Sequence, residues 1–213
     1  YTLFGAGYET TATALTGAWY LLATHPESAV RLQREVDRVL HGRSPTYADL
    51  AHLPYALQVL KEALRLYPPS YALTRVARHD VVIAGYRVRR HDAVLLPPYS
   101  LHRRPDYYPD PSRFDPDRFT PEREAQLPRC AYIPFGAGPR MCIGNHFALM
   151  EGHLLLATLA QRARFELVPG QRVEPDPKVT IRPKGGVQMV VRRRSESTAC
   201  VPALGANGQG TRG

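Results

Sequence analysis

A chain of 213 residues that is 44% hydrophobic and 22% charged is long and apolar enough to bury a real core, and by size alone it makes one large domain or two small ones. It has no run of about 18 uncharged apolar residues, which excludes a membrane-spanning helix; its cysteines, Cys130, Cys142 and Cys200, are odd in number and unrelated in spacing, which argues against a disulfide framework and for a reducing compartment such as the cytoplasm. The net charge of +9 rests almost wholly on arginine, with Lys61, Lys178 and Lys184 the only lysines, a balance that permits acidic proteins, anionic membranes or nucleic acid as partners without choosing among them.

Residues 1–24 carry Leu3, Phe4, Ala14, Leu15, Leu21 and Leu22 at helical spacing, locally weakened by Gly5 and Gly7. Because this helix runs from the first residue, Tyr1, the sequence is expected to be part of a longer protein. A second helix starts at Pro26, sets Val30, Val36 and Leu40 on one side and stops at Gly42. A third opens at Pro54 and cannot pass Pro68 and Pro69. Over "DVVIAGYRVRRHDAVLLPPY" the period changes to short β-branched runs broken at Ala84-Gly85 and His91-Asp92, as in hairpins.

The stretch that follows, "HRRPDYYPDPSRFDPDRFTPEREAQLP", is too rich in proline for regular structure and too aromatic for a linker, so it reads as an ordered meander. A glycine-rich loop holding Cys142 comes next, then a helix from about Ile143, then strands around residues 165–168, 179–181 and 187–191. The small, polar residues 195–213 read as a disordered tail. The whole is one α+β assembly, mainly helical.

The loop "FGAGPRMCIG" concentrates the chemistry. Gly136, Gly138 and Gly144 allow a backbone that side chains would forbid, so the chain can wrap Cys142 against something flat and bulky. The helix beyond it aims free N–H groups at the sulfur, which favours a thiolate and hence a soft metal ligand. Zinc lacks a ligand set, since Cys142 and His146 have no second pair. A thiol nucleophile with His146 as base and a buried structural cysteine both remain open.

These residues resemble the haem-binding signature of the cytochrome P-450 superfamily, Phe-x-x-Gly-x-Arg-x-Cys-x-Gly, at Phe135, Gly138, Arg140, Cys142 and Gly144. The resemblance implies that Cys142 is the axial thiolate of haem b, iron protoporphyrin IX, with Phe135 beside it, Gly136 in the same loop and Arg140 on a propionate. "AGYETT" is similar to the family's oxygen-side helix: Ala6 and Gly7 would leave space for O2, a threonine hydroxyl can bond back to the i−4 carbonyl and open the helix, Thr10 would hold the oxygen's hydrogen-bond network, and Glu9 would feed protons. Glu62 and Arg65 resemble the family's buried Glu-x-x-Arg pair, with Arg118 of "DPDRF" as its third member; the spacing alone would equally suit a surface bridge. Arg75 resembles a second propionate contact and His102 a contact at the haem edge.

Four motifs in the family's order imply the C-terminal half of its fold over residues 1–194, in a chain about half the family's length. They imply a monooxygenase that takes O2 and a small, hydrophobic organic substrate, with Phe4, residues 70–73 and the turn at Val179-Thr180 facing that substrate. Electrons would come from an external ferredoxin or flavoprotein, since the chain has no flavin or nicotinamide fingerprint, and Arg129 suits an acidic donor. A haem-thiolate isomerase, dehydratase or peroxygenase would not require Glu9 and Thr10. A basic nucleic-acid-binding module using Arg192, Arg193 and Arg194 would want interleaved aromatics, which are missing, so no nucleic-acid partner is expected.

Overall fold

The computed structural model describes residues 2–194; the tail predicted at 195–213 lies outside them. Six α-helices occur there, α1 (Thr2–Thr24), α2 (Pro26–Leu40), α3 (Pro54–Leu66), α4 (Pro98–Leu101), α5 (Pro121–Glu124) and α6 (Asn145–Arg162). Eight strands form four antiparallel pairs: β1 (Leu73–Val76) with β4 (Ala93–Leu96), β2 (Val81–Ile83) with β3 (Tyr86–Val88), β5 (Ala163–Leu167) with β8 (Met189–Arg193), and β6 (Pro175–Pro177) with β7 (Ile181–Pro183).

The long helices pack because their apolar residues repeat on one face. In α1, Ala14, Ala18, Leu21 and Leu22 are buried at i, i+4, i+7 and i+8. In α2 the buried face is Ser28, Leu32, Val36 and Leu40. Val30, predicted inside, is 43% exposed, because it lies two residues from both Ser28 and Leu32 and so turns to the opposite side. The helix ends at His41 in the left-handed region, one residue before the predicted stop at Gly42. Each fully buried leucine or valine of this face contributes about 1.5–3 kcal/mol.

Helix α3 packs against α1, α2 and α6 at the centre of the core. Its first turn has no N-cap side chain of its own; the buried Glu35 carboxylate of α2 accepts the N–H groups of Tyr55 and Ala56 at 2.8 and 2.9 Å instead, which pins α3 to α2. The crossing of α3 with α6 is close: a Cβ on Gly152 would sit 3.0 Å from Leu60 Cδ2. Gly152→Leu is therefore expected to destabilise the fold by roughly 1–3 kcal/mol through overpacking. A urea-unfolding midpoint within error of the parent would refute that crossing.

The sheets differ from expectation in one respect. The Ala84-Gly85 turn does close the β2–β3 hairpin, both residues having positive φ, but β4 pairs back to β1, across that hairpin. The predicted strand at 179–181 is mostly the turn between β6 and β7, closed by Lys178 N–H to Thr180 C=O at 3.2 Å. The meander is ordered, with short helical turns at Pro116–Phe119 and in α5. The basic end of β8 is partly spent inside the molecule: Arg194 holds Asp37 at 2.6 Å and Arg192 lies 3.6 Å from Glu166. That weakens the nucleic-acid reading of the arginine run.

Candidate functional site

Residues 135–144 form a loop tied to itself. The Phe135 carbonyl accepts the Cys142 N–H at 2.9 Å and the Gly138 carbonyl accepts the Met141 N–H at 3.0 Å. Gly136 and Gly138 have φ of 75° and 71°, a region costly for any residue with a Cβ. Gly144 is the N-cap of α6, so the helix begins two residues later than predicted, at Asn145. The Cys142 sulfur thus lies beside the positive end of an 18-residue helix, 4.0 Å from where a Cβ on Gly144 would be.

Cys142 is exposed, which removes the buried structural reading. No hydrogen bond joins it to the His146 ring, so no thiol–imidazole pair is formed; the backbone N–H of His146 donates to Asn145 Oδ1 at 2.8 Å. Among the described residues no three His, Cys, Asp or Glu side chains gather to hold a metal ion. Met141 and Ile143 on either side of Cys142, and Phe147 in the first turn of α6, are exposed apolar side chains. A lone sulfur with such a rim suits one axial bond to a metal whose remaining ligands arrive with a flat macrocycle.

Strand β1 approaches the same loop: a Cβ on Gly136 would contact Leu73 Cδ1 at 3.5 Å. Leu73 and Arg75 share the more covered face of that strand, so Arg75 projects on the loop's side. Arg75 donates only to the Thr74 carbonyl, and neither it nor Arg140 forms an ion pair among the described residues. Two arginines, one in the cysteine loop and one on the strand beside it, without carboxylate partners among the described residues, suit an anionic group from outside. Phe135 is half-buried and packs on the core cluster.

Behind the loop lies a buried polar scaffold. Arg65 and Glu62 are both 0% exposed and bonded through two contacts, Nε to Oε2 at 2.6 Å and Nη2 to Oε1 at 2.8 Å. Arg118 Nε stands 3.5 Å from Glu62 Oε1, and the Asp115 N–H donates to the same oxygen at 2.9 Å. The pair is thus the buried triad and not a surface bridge. Burial pushes the Glu62 carboxyl above its ordinary range, and the bonds from Arg65 oppose that shift.

His102 is corrected by the structure. It is 0% exposed and does not reach the open face of the loop. Its Nε2 accepts the Ile133 N–H at 2.9 Å, its carbonyl accepts Arg65 Nη1 at 2.7 Å, and its ring lies 5.3 Å from that of Tyr132. Burial, with Arg65 and Arg103 close by, lowers its pKa to about 4, so the ring is neutral at pH 7. Ile133 in turn accepts the Gly136 N–H at 3.0 Å. His102 therefore joins the buried triad to the strand of chain leading into the cysteine loop.

On the other side, Ala6 and Gly7 are exposed on the first turns of α1, and a Cβ on Gly7 would meet nothing within 4 Å. Thr10 donates to the Ala6 carbonyl at 2.6 Å, the predicted back-bond. The helix stays α-helical through it, so the predicted opening does not occur. Glu9 turns elsewhere: Thr180 Oγ1 donates to its Oε1 at 2.7 Å, and Arg182 Nη1 is 3.6 Å from the same oxygen. The sequence contained no sign of that contact, since 171 residues separate the partners.

A profile of the cytochrome P-450 family matches residues 1–190. The chain belongs to the cytochrome P-450 family. Cytochromes P-450 hold haem through a cysteine thiolate, and the features of the Cys142 loop fit such a group. Similar proteins include cyclooctatin synthase of Streptomyces melanosporofaciens, 46% identical over 180 residues, 84% of this chain and 39% of that protein. Pentalenene oxygenase of Streptomyces avermitilis is 41% identical over 180 residues, 84% of this chain and 40% of that protein. The crystal structure of the cytochrome P-450DA heme domain is 35% identical and superimposes with a TM-score of 0.86, covering 94% of this chain and 46% of that one. The chain thus spans less than half the length of these cytochromes P-450.

Proposed function

We propose that residues 1–194 are the C-terminal half of the haem domain of a monooxygenase, which places one atom of O2 in a small, hydrophobic organic substrate and reduces the other to water. The observation that carries this reading is the exposed sulfur of Cys142, held at the start of α6 with no competing ligand set among the described residues. Haem b, when bound, supplies the redox chemistry of dioxygen, with two electrons from an external ferredoxin or flavoprotein. Cys142 Sγ would hold its iron. The backbone at Gly136, Gly138 and Gly144 would let the loop approach it, with Phe135 packed on the core side, and Arg140 and Arg75 would bind its propionates as charge-assisted partners.

Ala6 and Gly7 keep side chains away from the oxygen position, Thr10 anchors the hydrogen-bond network there, and Glu9 moves protons into it. Phe4, 76% exposed, and Val179, 94% exposed, face the substrate. A haem-thiolate isomerase or a peroxide-driven enzyme has no use for a proton relay, so the presence of Glu9 and Thr10 together in the sequence favours the monooxygenase. The relative named pentalenene oxygenase supports the same choice.

Cys142→Ser in the complete haem-loaded protein tests the reading. The reduced, carbon monoxide-treated parent is expected to show the red-shifted Soret band of thiolate-ligated haem, and the variant to lose both that band and product formation. A serine variant with the parent's spectrum and turnover would end the proposal.

A further inference from the structure

Glu9 and Thr10 are consecutive in α1, so their side chains leave the helix about 100° apart. Thr10 is occupied with the Ala6 carbonyl, while Glu9 is bonded to the β6–β7 turn. The turn is well anchored. Tyr71 Oη donates to the Lys178 carbonyl at 3.0 Å, and the Ile181 N–H donates to the Pro69 carbonyl at 3.0 Å. Thr180 is 7% exposed under the turn, yet its neighbour Val179 stands almost fully exposed at its tip. Thr180 Oγ1 and Arg182 Nη1 converge on Glu9 Oε1, and no described residue bonds Oε2.

We propose that the β6–β7 turn is a latch on Glu9, in which Thr180 and Arg182 are positioning residues and Val179 is the trigger. The inference rests on the monooxygenase reading, in which Glu9 takes a proton from solvent and passes it to the network at Thr10. In the latched geometry Glu9 makes no bond to Thr10, so delivery requires its carboxylate to leave Thr180. A substrate resting on Val179 shifts the tip of the turn and frees the carboxylate. Proton delivery is thereby tied to occupancy of the substrate site. The feature is specific to this turn: a hydroxyl and a guanidinium two residues apart aim at one oxygen, beside an exposed apolar tip.

The test uses the complete haem-loaded protein and compares Thr180→Val, Thr180→Ser, Arg182→Gln and the double variant Glu9→Gln/Thr180→Val. Two quantities are read: oxygen consumption without substrate, and hydrogen exchange of the amides over residues 175–183. Thr180→Val is expected to raise substrate-free consumption about fivefold and to speed exchange in the turn several-fold. Thr180→Ser is expected to restore both, and adding Glu9→Gln to abolish the excess consumption. Where Thr180→Val loads haem poorly, Arg182→Gln carries the comparison, with a smaller rise of the same sign. Faster exchange with unchanged substrate-free consumption would mean a merely structural contact and would overturn the latch, as would no change in either. A protein that lacks the thiolate-type spectrum would instead overturn the monooxygenase reading.

Discussion

Arg65→Leu is expected to cost the fold about 3–5 kcal/mol, a large part of the total stability of a domain this size. The guanidinium binds both oxygens of Glu62, and its remaining N–H groups reach the carbonyls of His102 at 2.7 Å, Pro111 at 2.8 Å and Arg113 at 3.1 Å. It also stacks 4.9 Å from the Tyr108 ring. Leucine fills much of the space but leaves a fully buried carboxylate with the Asp115 N–H and a more distant Arg118. It also strands the carbonyls of the meander in a dry interior. Arg65→Lys keeps the charge yet cannot span the forked geometry, so an intermediate loss is expected. Glu62→Leu/Arg65→Leu is expected to be less harmful than the sum of its single changes, because the carboxylate leaves together with its main partner and only Arg118, which keeps its bond to the Asp110 carbonyl, loses an ion pair. Urea-unfolding midpoints of these three variants and of Glu62→Leu alone measure the series. A loss under about 1 kcal/mol for Arg65→Leu would match an ordinary surface pair and refute the buried triad.

What the sequence disclosed follows from the range over which each feature is determined. Helices α2 and α3 were legible because Pro26 and Pro54 mark their starts and the apolar residues repeat locally. The cysteine loop was legible for the same reason, since ten consecutive residues contain its glycines and its sulfur and lead directly into the helix. Strand β1 was not. It has four residues, and its partner β4 lies beyond a complete hairpin, so no neighbouring turn announces the pairing. The pair Glu62 and Arg65 was visible, but its burial depends on Tyr108, Arg118 and the meander folding over it. The place of Glu9 depends on a turn at the other end of the chain. His102 was misplaced because a resemblance in "LHRRP" gives its position in the chain and not its burial; contacts with Arg65, Tyr132 and Ile133, all distant in sequence, decide that.

That location gives His102 a second consequence, a loss of stability in acid. Its folded-state pKa of about 4 lies below the 6.5 of a free imidazole, so between those values the unfolded chain binds a proton that the folded chain refuses. Stability is complete above pH 6.5 and falls as pH drops toward 4, by about 1.4 kcal/mol per unit and about 3 kcal/mol in all. The proton cannot be accommodated in place, because Nε2 is the acceptor for Ile133 N–H, Nδ1 is already buried without a partner, and Arg65 and Arg103 are close by. His102→Phe removes this titration but orphans the Ile133 N–H, at a cost of roughly 1–3 kcal/mol at pH 7. The two proteins are therefore expected to differ most at pH 7 and to converge near pH 4. Buried His153, also shifted down, is common to both and cancels in the comparison. Urea midpoints at pH 7, 5.5 and 4 resolve the trend, and a gap that stays constant with pH would show that His102 does not sit neutral against Ile133. Since Ile133 also accepts from Gly136, whose neighbour Phe135 accepts from Cys142, the same variant is expected to loosen the cysteine loop. Faster hydrogen exchange at the Gly136 and Cys142 amides, measured at pH 7 where the ring's charge plays no part, separates this mechanical effect from the titration.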